Sequence, residues 1–400
     1  MSGPLEGIRI IDMTHVILGP YATQQLADLG ADVIKIESPI GDPMRYIGPC
    51  KTKAMGPIFL HINRNKRSIS LDLKKQEARD ILYDLLKTAD VFACNMRSKA
   101  LSRLGLDWDT VSSINPKLIY ASMVGFSPRG PYADEAAFDD VIQAAVALPH
   151  IVSEASGTEP RYVPSAIADR VVGLYAMGAI SSALYAREKR GIGQKLDIPM
   201  FEVMSQFVLG DHLYGHTFSP SLAGFGYPRL LSKHRKPYTT KDGLICCMVY
   251  TDDQWKCFLE SFGYQGLFET DERFKDIATR TKNIDSLYGL LADEFSKYTN
   301  AEIASRLGDG LPIFSANTLE SLTQDPQLSA IDFIVEEEHP TEGTTLRLGI
   351  PSEWSATIPD HQFPAPNLGQ HSSEILEELS LSTGDIQALI RCGVVFQHSS

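Results

Sequence analysis

Cysteine is sparse and unpatterned in this sequence. The six residues (50, 94, 246, 247, 257 and 392) form no CxxC pair and share no metal-ligand spacing with histidine. That excludes a disulfide-stapled secreted scaffold and a structural zinc site, and no metal is expected. It predicts reduced thiols in a cytoplasmic compartment, with a mitochondrial matrix equally compatible. Positive charge is also short. Against 50 Asp and Glu stand 37 Lys and Arg, a net charge of -13, which argues against a nucleic-acid binder. A local basic pocket for an anionic ligand remains compatible with that balance. The start, MSGPLEGIRIID, enters a strand with no charged-then-apolar leader. The charge-free run between Arg170 and Arg187 is shorter than the ~20 apolar residues a bilayer crossing needs, so no membrane contact is expected. There is no internal repeat and no low-complexity tail. GxSxG, HExxH and the Walker phosphate loop are all missing, which removes the commonest hydrolase, metalloprotease and nucleotide-hydrolysing readings.

What remains is a 400-residue chain of ordinary globular composition, 43% hydrophobic and 22% charged. It is long enough for more than one core, since single cores stop growing near ~250–300 residues. The first third alternates strands and helices. Strands are expected at 8–13, 32–37, 68–73, 91–93 and 118–123, with helices at 20–29 and 76–87, a helical turn at 100–104 and an irregular stretch at 38–65. Such alternation with short connections implies an α/β fold with a Rossmann-like parallel sheet, whose ligands sit at the carboxyl ends of the strands. Those ends carry His15, Lys74, Asn95, Arg97 and Phe126. The loop after the first strand lacks GxGxxG, so a dinucleotide dehydrogenase is disfavoured. A large domain is read at 1–215, a Gly/Pro-rich linker at 216–237, a smaller α/β domain at 238–325, and a linker with C-terminal return to the large domain at 326–400.

The stretch Arg161 to Glu202 organises the rest. Asp169 stands at the mouth of the charge-free run, which reads as a buried core helix. Gly173, Ala176, Gly178, Ala179 and Ala183 leave room for another backbone. Arg187, Lys189, Arg190 and then Gly191 form a cation-rich last turn with a left-handed stop. Two readings of Asp169 compete: a helix N-cap, or a nucleophilic or acid/base carboxylate held on a rigid element.

The ordered motifs carry a resemblance. They are Ile10-Ile11-Asp12 with His15-Val16 and Gly19-Pro20, then Leu29 to Glu37, Asn65 to Ile69 and Leu71-Asp72-Leu73-Lys74. Gly130-Pro131-Tyr132, Ala137-Phe138-Asp139 and Gln143 follow, then Asp169, Gly173, Arg187, Gly191 to Gln194 and Met200. Pro237-Tyr238, Asp242-Gly243, Gln254-Trp255, Pro366 to Gly369 and His371 complete the series. The chain resembles the class III coenzyme A transferases of the formyl-CoA transferase and carnitine CoA-transferase type over nearly its whole length. The resemblance implies that Asp169 is the catalytic aspartate, attacking an acyl-CoA thioester and passing through aspartyl anhydride and aspartyl-CoA thioester intermediates. It implies CoA contacts at His15, Val16, Leu71, Asp72, Leu73, Lys74, Asn95, Met96, Arg97, Arg103, Phe126 and Met200. The expected partners are acyl-CoA, possibly succinyl-CoA, and a small carboxylic acid, with no permanently bound cofactor. An interlocked homodimer is implied as well. Taken alone, Lys74 and Arg97 read as solvated surface charges.

Departures matter too. Ser38 stands where the family often has an arginine, and Arg45 is the candidate to replace it. Leu222 to Tyr227, with Gly224 and Gly226, is the nearest equivalent of a site-covering glycine loop. The alternative activity is a 2-methylacyl-CoA racemase, which needs two proton carriers on opposite faces. The histidine of that chemistry aligns with Phe138, which cannot carry a proton, and His150 reads as an ordinary loop histidine. A non-enzymatic CoA-binding protein is the third reading, and retention of Asp169 speaks against it.

Overall fold

The computed structural model describes residues 3–398, which divide into two compact units. The first comprises the chain up to Val146, Pro164–Ser205 and the segment from Gln327 onward. Its strands are β1 (Arg9–Met13), β2 (Asp32–Glu37), β3 (Lys66–Leu71), β4 (Val91–Cys94), β5 (Ile119–Val124) and β6 (Gln194–Pro199). They pair in the parallel order β3-β2-β1-β4-β5-β6, and Val395–Phe396 adds an antiparallel edge to β3. The central strands are buried on both faces and rich in Ile and Val, as a helix-covered parallel sheet requires. The strand order reverses between β1 and β4, so the crevice beyond their carboxyl ends is where such a sheet takes a ligand.

The helices that bear on this crevice are α1 (Leu18–Asp28), α2 (Gln76–Thr88), α3 (Ser98–Leu104), α4 (Asp139–Ala145), α5 (Ile167–Arg190) and α6 (Met200–His212). On α2, Ala78, Ile81, Leu82, Leu85 and Leu86 recur at helical spacing and pack on Ile11, Ile34, Ile69 and Phe92. On α5, Ala168, Val172, Gly173, Ala176, Ile180 and Ala183 make the buried stripe. Gly173 is needed there, because a Cβ would stand 3.0 Å from the Leu18 carbonyl oxygen of α1. Arg187 pairs with Asp90 at 2.8 Å, and Gly191 ends the helix at φ 71. The expectation of a helix buried all round is corrected. The outer face of α5 exposes Leu174 (45%), Tyr175 and Tyr185 (66%). It is the one helix among the described residues long and apolar enough to cross a membrane, and 44% of its most apolar window is buried inside the fold.

The second unit comprises Ala147–Val163 and Gln206–Pro326. An antiparallel sheet of Tyr238–Thr239, Leu244–Cys247 and Ile313–Ser315 carries helices Asp252–Ser261, Ile284–Phe295 and Asn300–Leu307. Trp255, Phe258, Phe274 and Phe295 fill its core. The boundary read at 215 therefore moves. Helix Leu148–Ser156 packs with Pro228–Leu231 inside this unit, and the last half of α6 belongs to it. Thr251, with a capping box to Gln254, caps the helix at 252.

At the carboxyl edge of the sheet lies a buried ionic network. Asp12 accepts from Lys66 Nζ (3.0 Å), the Thr14 amide (2.9 Å) and Thr23 Oγ1 (2.7 Å). Lys66 Nζ also donates to the Pro20 carbonyl and Asn63 Oδ1. Burial alone would raise the Asp12 pKa, but Lys66 and Lys35 outweigh it and hold the carboxyl below its ordinary value. Lys35 Nζ bonds the Thr14 carbonyl and Asp42, and Asp42 in turn donates its amide to Glu37. Breaking such a network strands buried charges, at a cost of about 3–5 kcal/mol. Asp12→Ala is expected to lower unfolding stability by about that amount in urea titration; an unchanged midpoint would remove the network from its structural role.

Candidate active site

Two loops meet at the reversal point. The turn after β1 is held from below by Lys35, which bonds the Thr14 carbonyl at 2.9 Å, and by Asp42, which accepts the Val16 amide at 3.2 Å. From the side, Asn95 accepts the His15 amide (3.0 Å) and returns its Nδ2 to the His15 carbonyl (2.8 Å). So clamped, Val16 sits at φ 70, a left-handed conformation that a β-branched residue adopts only when its surroundings enforce it. Burial pushes the His15 pKa down, with the Asp42 charge opposing, so the ring is neutral near pH 7.

Asp169 lies in the first turn of α5, three residues past the N-cap Ala166, which offers no capping side chain. The N-cap reading is therefore corrected. The capping acceptor is Asp139, thirty positions earlier, whose Oδ1 takes the Asp169 amide at 3.0 Å. Gln143 Nε2 fixes the other oxygen of Asp139 at 2.6 Å. The Asp169 residue is 8% exposed. Burial first, and then the neighbouring Asp139 charge, push its pKa up to about 7, while Arg170 pulls the other way. The helix start thus does not hold this carboxyl firmly ionised, as its position alone suggests. It is poised between the two forms at neutral pH.

Asp169 opens on a cavity of about 480 Å³ that His15, Val16, Asn95, Met96, Arg97, Phe138 and Met200 also line. A second cavity, about 640 Å³, lies over the ends of β2 and β3, where Leu71, Asp72, Leu73 and Lys74 meet Ile36, Ile40 and Leu104. His15 and Met96 border both. Seven of the expected residues thus gather in the first cavity and six in the second. Two stand outside both. Arg103 is exposed on the last turn of α3, and Phe126 packs edge-on against Tyr132 and tilted against Phe201. Arg45 does not take the place of the arginine absent at Ser38. It is fully buried, forked onto Glu37 at 2.7–2.8 Å and stacked on Phe59. Gly224 and Gly226 belong to the second unit, where the Gly226 amide bonds the His212 carbonyl at 2.9 Å.

Residues the sequence reading gave no role are Asp139, as cap and neighbouring charge, and Asp42, as support of the turn. Their chain positions carry no local signal for either. The chemistry available is a desolvated carboxyl in a cavity that the exposed Arg97 also lines, in a site that continues into a mostly apolar cleft. Among the described residues no cluster of three metal-binding side chains occurs.

A family model described as CoA-transferase family III matches residues 5–372. The chain is 33% identical over 389 residues to a succinate–glutarate CoA-transferase of Agrobacterium fabrum, covering 94% of this chain and 96% of that one. It is 31% identical over 402 residues to the human succinyl-CoA:glutarate CoA-transferase, with 99% and 91% covered. Among solved structures it is similar to a CaiB/BaiF family protein from Brucella suis, with TM-score 0.78 and 30% identity over 95% of this chain and 100% of that one. A match of that extent, on a sheet whose reversal point opens onto the two cavities, settles the family: the chain belongs to CoA-transferase family III and is a CoA-transferase.

Proposed function

We propose that Asp169 is the nucleophile and that the protein moves CoA from an acyl-CoA donor to a small carboxylic acid. The observation that carries this is the buried Asp169 carboxyl on the cavity that the clamped His15–Val16 turn also lines. In the first step the carboxylate attacks the thioester carbonyl, the C–S bond breaks, and an aspartyl–acyl anhydride and CoA thiolate result. The thiolate then attacks the aspartyl carbonyl, forming an aspartyl-CoA thioester and releasing the donor acid. The acceptor carboxylate attacks that thioester to give a second anhydride and thiolate, and thiolate attack on its acyl carbonyl yields the new acyl-CoA and free Asp169. No net proton moves, so the cycle needs alignment and a desolvated carboxylate, with no strong base.

Binding falls to both cavities in this reading. His15, Val16, Asn95, Met96, Arg97 and Met200 hold the thioester arm, and Leu71 to Lys74 hold the nucleotide end. Arg103 and Phe126 border neither cavity and flank them. The similar enzymes act on succinyl, glutarate, formyl and oxalate groups by their names, which supports short mono- or dicarboxylates here, with succinyl-CoA a suitable donor. Racemisation is disfavoured because Phe138, on the cavity wall, has no proton to give.

An interlocked homodimer accompanies this function. The apolar outer face of α5, with Leu174, Tyr175 and Tyr185, supports a covering partner. Light scattering on the eluted protein is expected to give about twice 44.1 kDa, and a monomer mass would reject the dimer. Asp169→Ala is expected to cut transfer by about 10³-fold or more. Mass spectrometry of wild type mixed with acyl-CoA and quenched with hydroxylamine should find the modification on the Asp169 peptide. Full activity in the variant would sink the central claim. Because the attacking form is ionised, kcat/KM should fall about tenfold per pH unit below about 7 and level off above. Asp139→Asn removes one of the two causes of that raised value, so its acidic limb should lie at lower pH; an unmoved limb would show that the Asp139 charge is not felt.

A further inference from the structure

Charge is distributed unevenly around the cavity over β2 and β3. Its wall is apolar for the most part, with Ile36, Pro39, Ile40, Leu71 and Leu104 facing the space. Ile40 is 75% exposed and free to cover a flat ring. Three carboxylates border it. Glu37 is bound to Arg45, Asp42 is bound to Lys35, and Asp72 is partly open. Against these stands Lys74, exposed and with no ion pair among the described residues. His15, also on the wall, is held neutral by burial. Arg45, the remaining cation of the 38–50 loop, is wholly inside the protein, and Arg103 borders neither cavity.

We infer that this transferase discriminates weakly for the 3′-phosphate of CoA, and that Lys74 supplies what preference there is. The inference rests on the reading that the nucleotide end of CoA seats over β2 and β3. Tight recognition of a phosphate uses several buried donors, forked arginines above all. One exposed lysine on a flexible stem offers a screened point charge, which is worth about tenfold in affinity or less. The partly open Asp72 carboxylate on the same wall weakens it further. The adenine and ribose, by contrast, meet an apolar surface indifferent to whether the phosphate is present. CoA thioesters with and without that phosphate are therefore both substrates, and the class of ligand accepted widens to 3′-dephospho-CoA and its thioesters.

Calorimetric titration of CoA and 3′-dephospho-CoA into wild type, Lys74→Ala and Ile40→Asp tests this. In wild type the two dissociation constants should differ by less than about tenfold. In Lys74→Ala they should become equal, through weaker binding of CoA. Ile40→Asp should weaken both ligands by a similar factor, since it alters the surface under the shared adenine. A wild-type preference of about 100-fold or more, or a preference that survives Lys74→Ala, would overturn the inference. Failure of the underlying reading looks different. There, Ile40→Asp binds both ligands as wild type does, or neither ligand binds the wild type at all.

Discussion

The buried pair formed by Lys66, the first residue of β3, and Asp12, near the end of β1, is the constraint on which the site depends. Two charged side chains with no solvent exposure face each other across the first and third strands at 3.0 Å. An arrangement of this kind contributes little net stability compared with an apolar packing of equal shape, yet losing one member is severe. Its value here is placement. Asp12 fixes Thr14, Lys35 fixes the Thr14 carbonyl, and Asp42 fixes the Val16 amide. The left-handed Val16 is the endpoint of that chain of bonds. Strain at the mouth of the site is thus balanced by charge inside the fold.

The same network explains what could and could not be read from residues alone. Alternating runs such as Asp32 to Glu37 and Gln76 to Thr88 announce themselves by their periods, and the parallel sheet follows from their order. The third strand begins at 66, two residues before the 68 that the sequence predicts, because Lys66 and Arg67 look like loop residues. They are strand residues whose charges have partners distant in sequence, Asp12 and Asp32. Arg45 misleads in the same way, since a cation after an irregular loop looks free, and only the fold reveals Glu37 and Phe59 around it. Helices Trp108–Ile114 and Leu148–Ser156 are too short to establish a period. Motif order names Asp169, His15 and Asn95, which the fold brings to the wall of one cavity. It could not show that Asp139 caps the helix of Asp169, because that bond spans thirty positions.

Two carboxylates share the entrance of α5, and they divide its tasks. Asp139 takes the amide at the positive end of the helix, where an anion is favoured. Asp169 is left with burial and a like charge as neighbours. The ordering of roles arises from which oxygen reaches the free amide.

For Asp169 this has a consequence for folding itself. In the unfolded chain the side chain ionises near 3.8, whereas in the fold it does so near 7. Between these values the native protein holds a proton that the unfolded chain has released, so the stabilisation from the neutral carboxyl is fully present below the lower value and lost as pH rises through the upper one. The ionised form, which the proposed mechanism assigns to attack on the thioester, is therefore the form the fold tolerates least. In the proposed cycle each covalent adduct on that oxygen would replace a buried charge with a neutral group, relieving at every acyl stage the penalty that burial places on the free carboxylate.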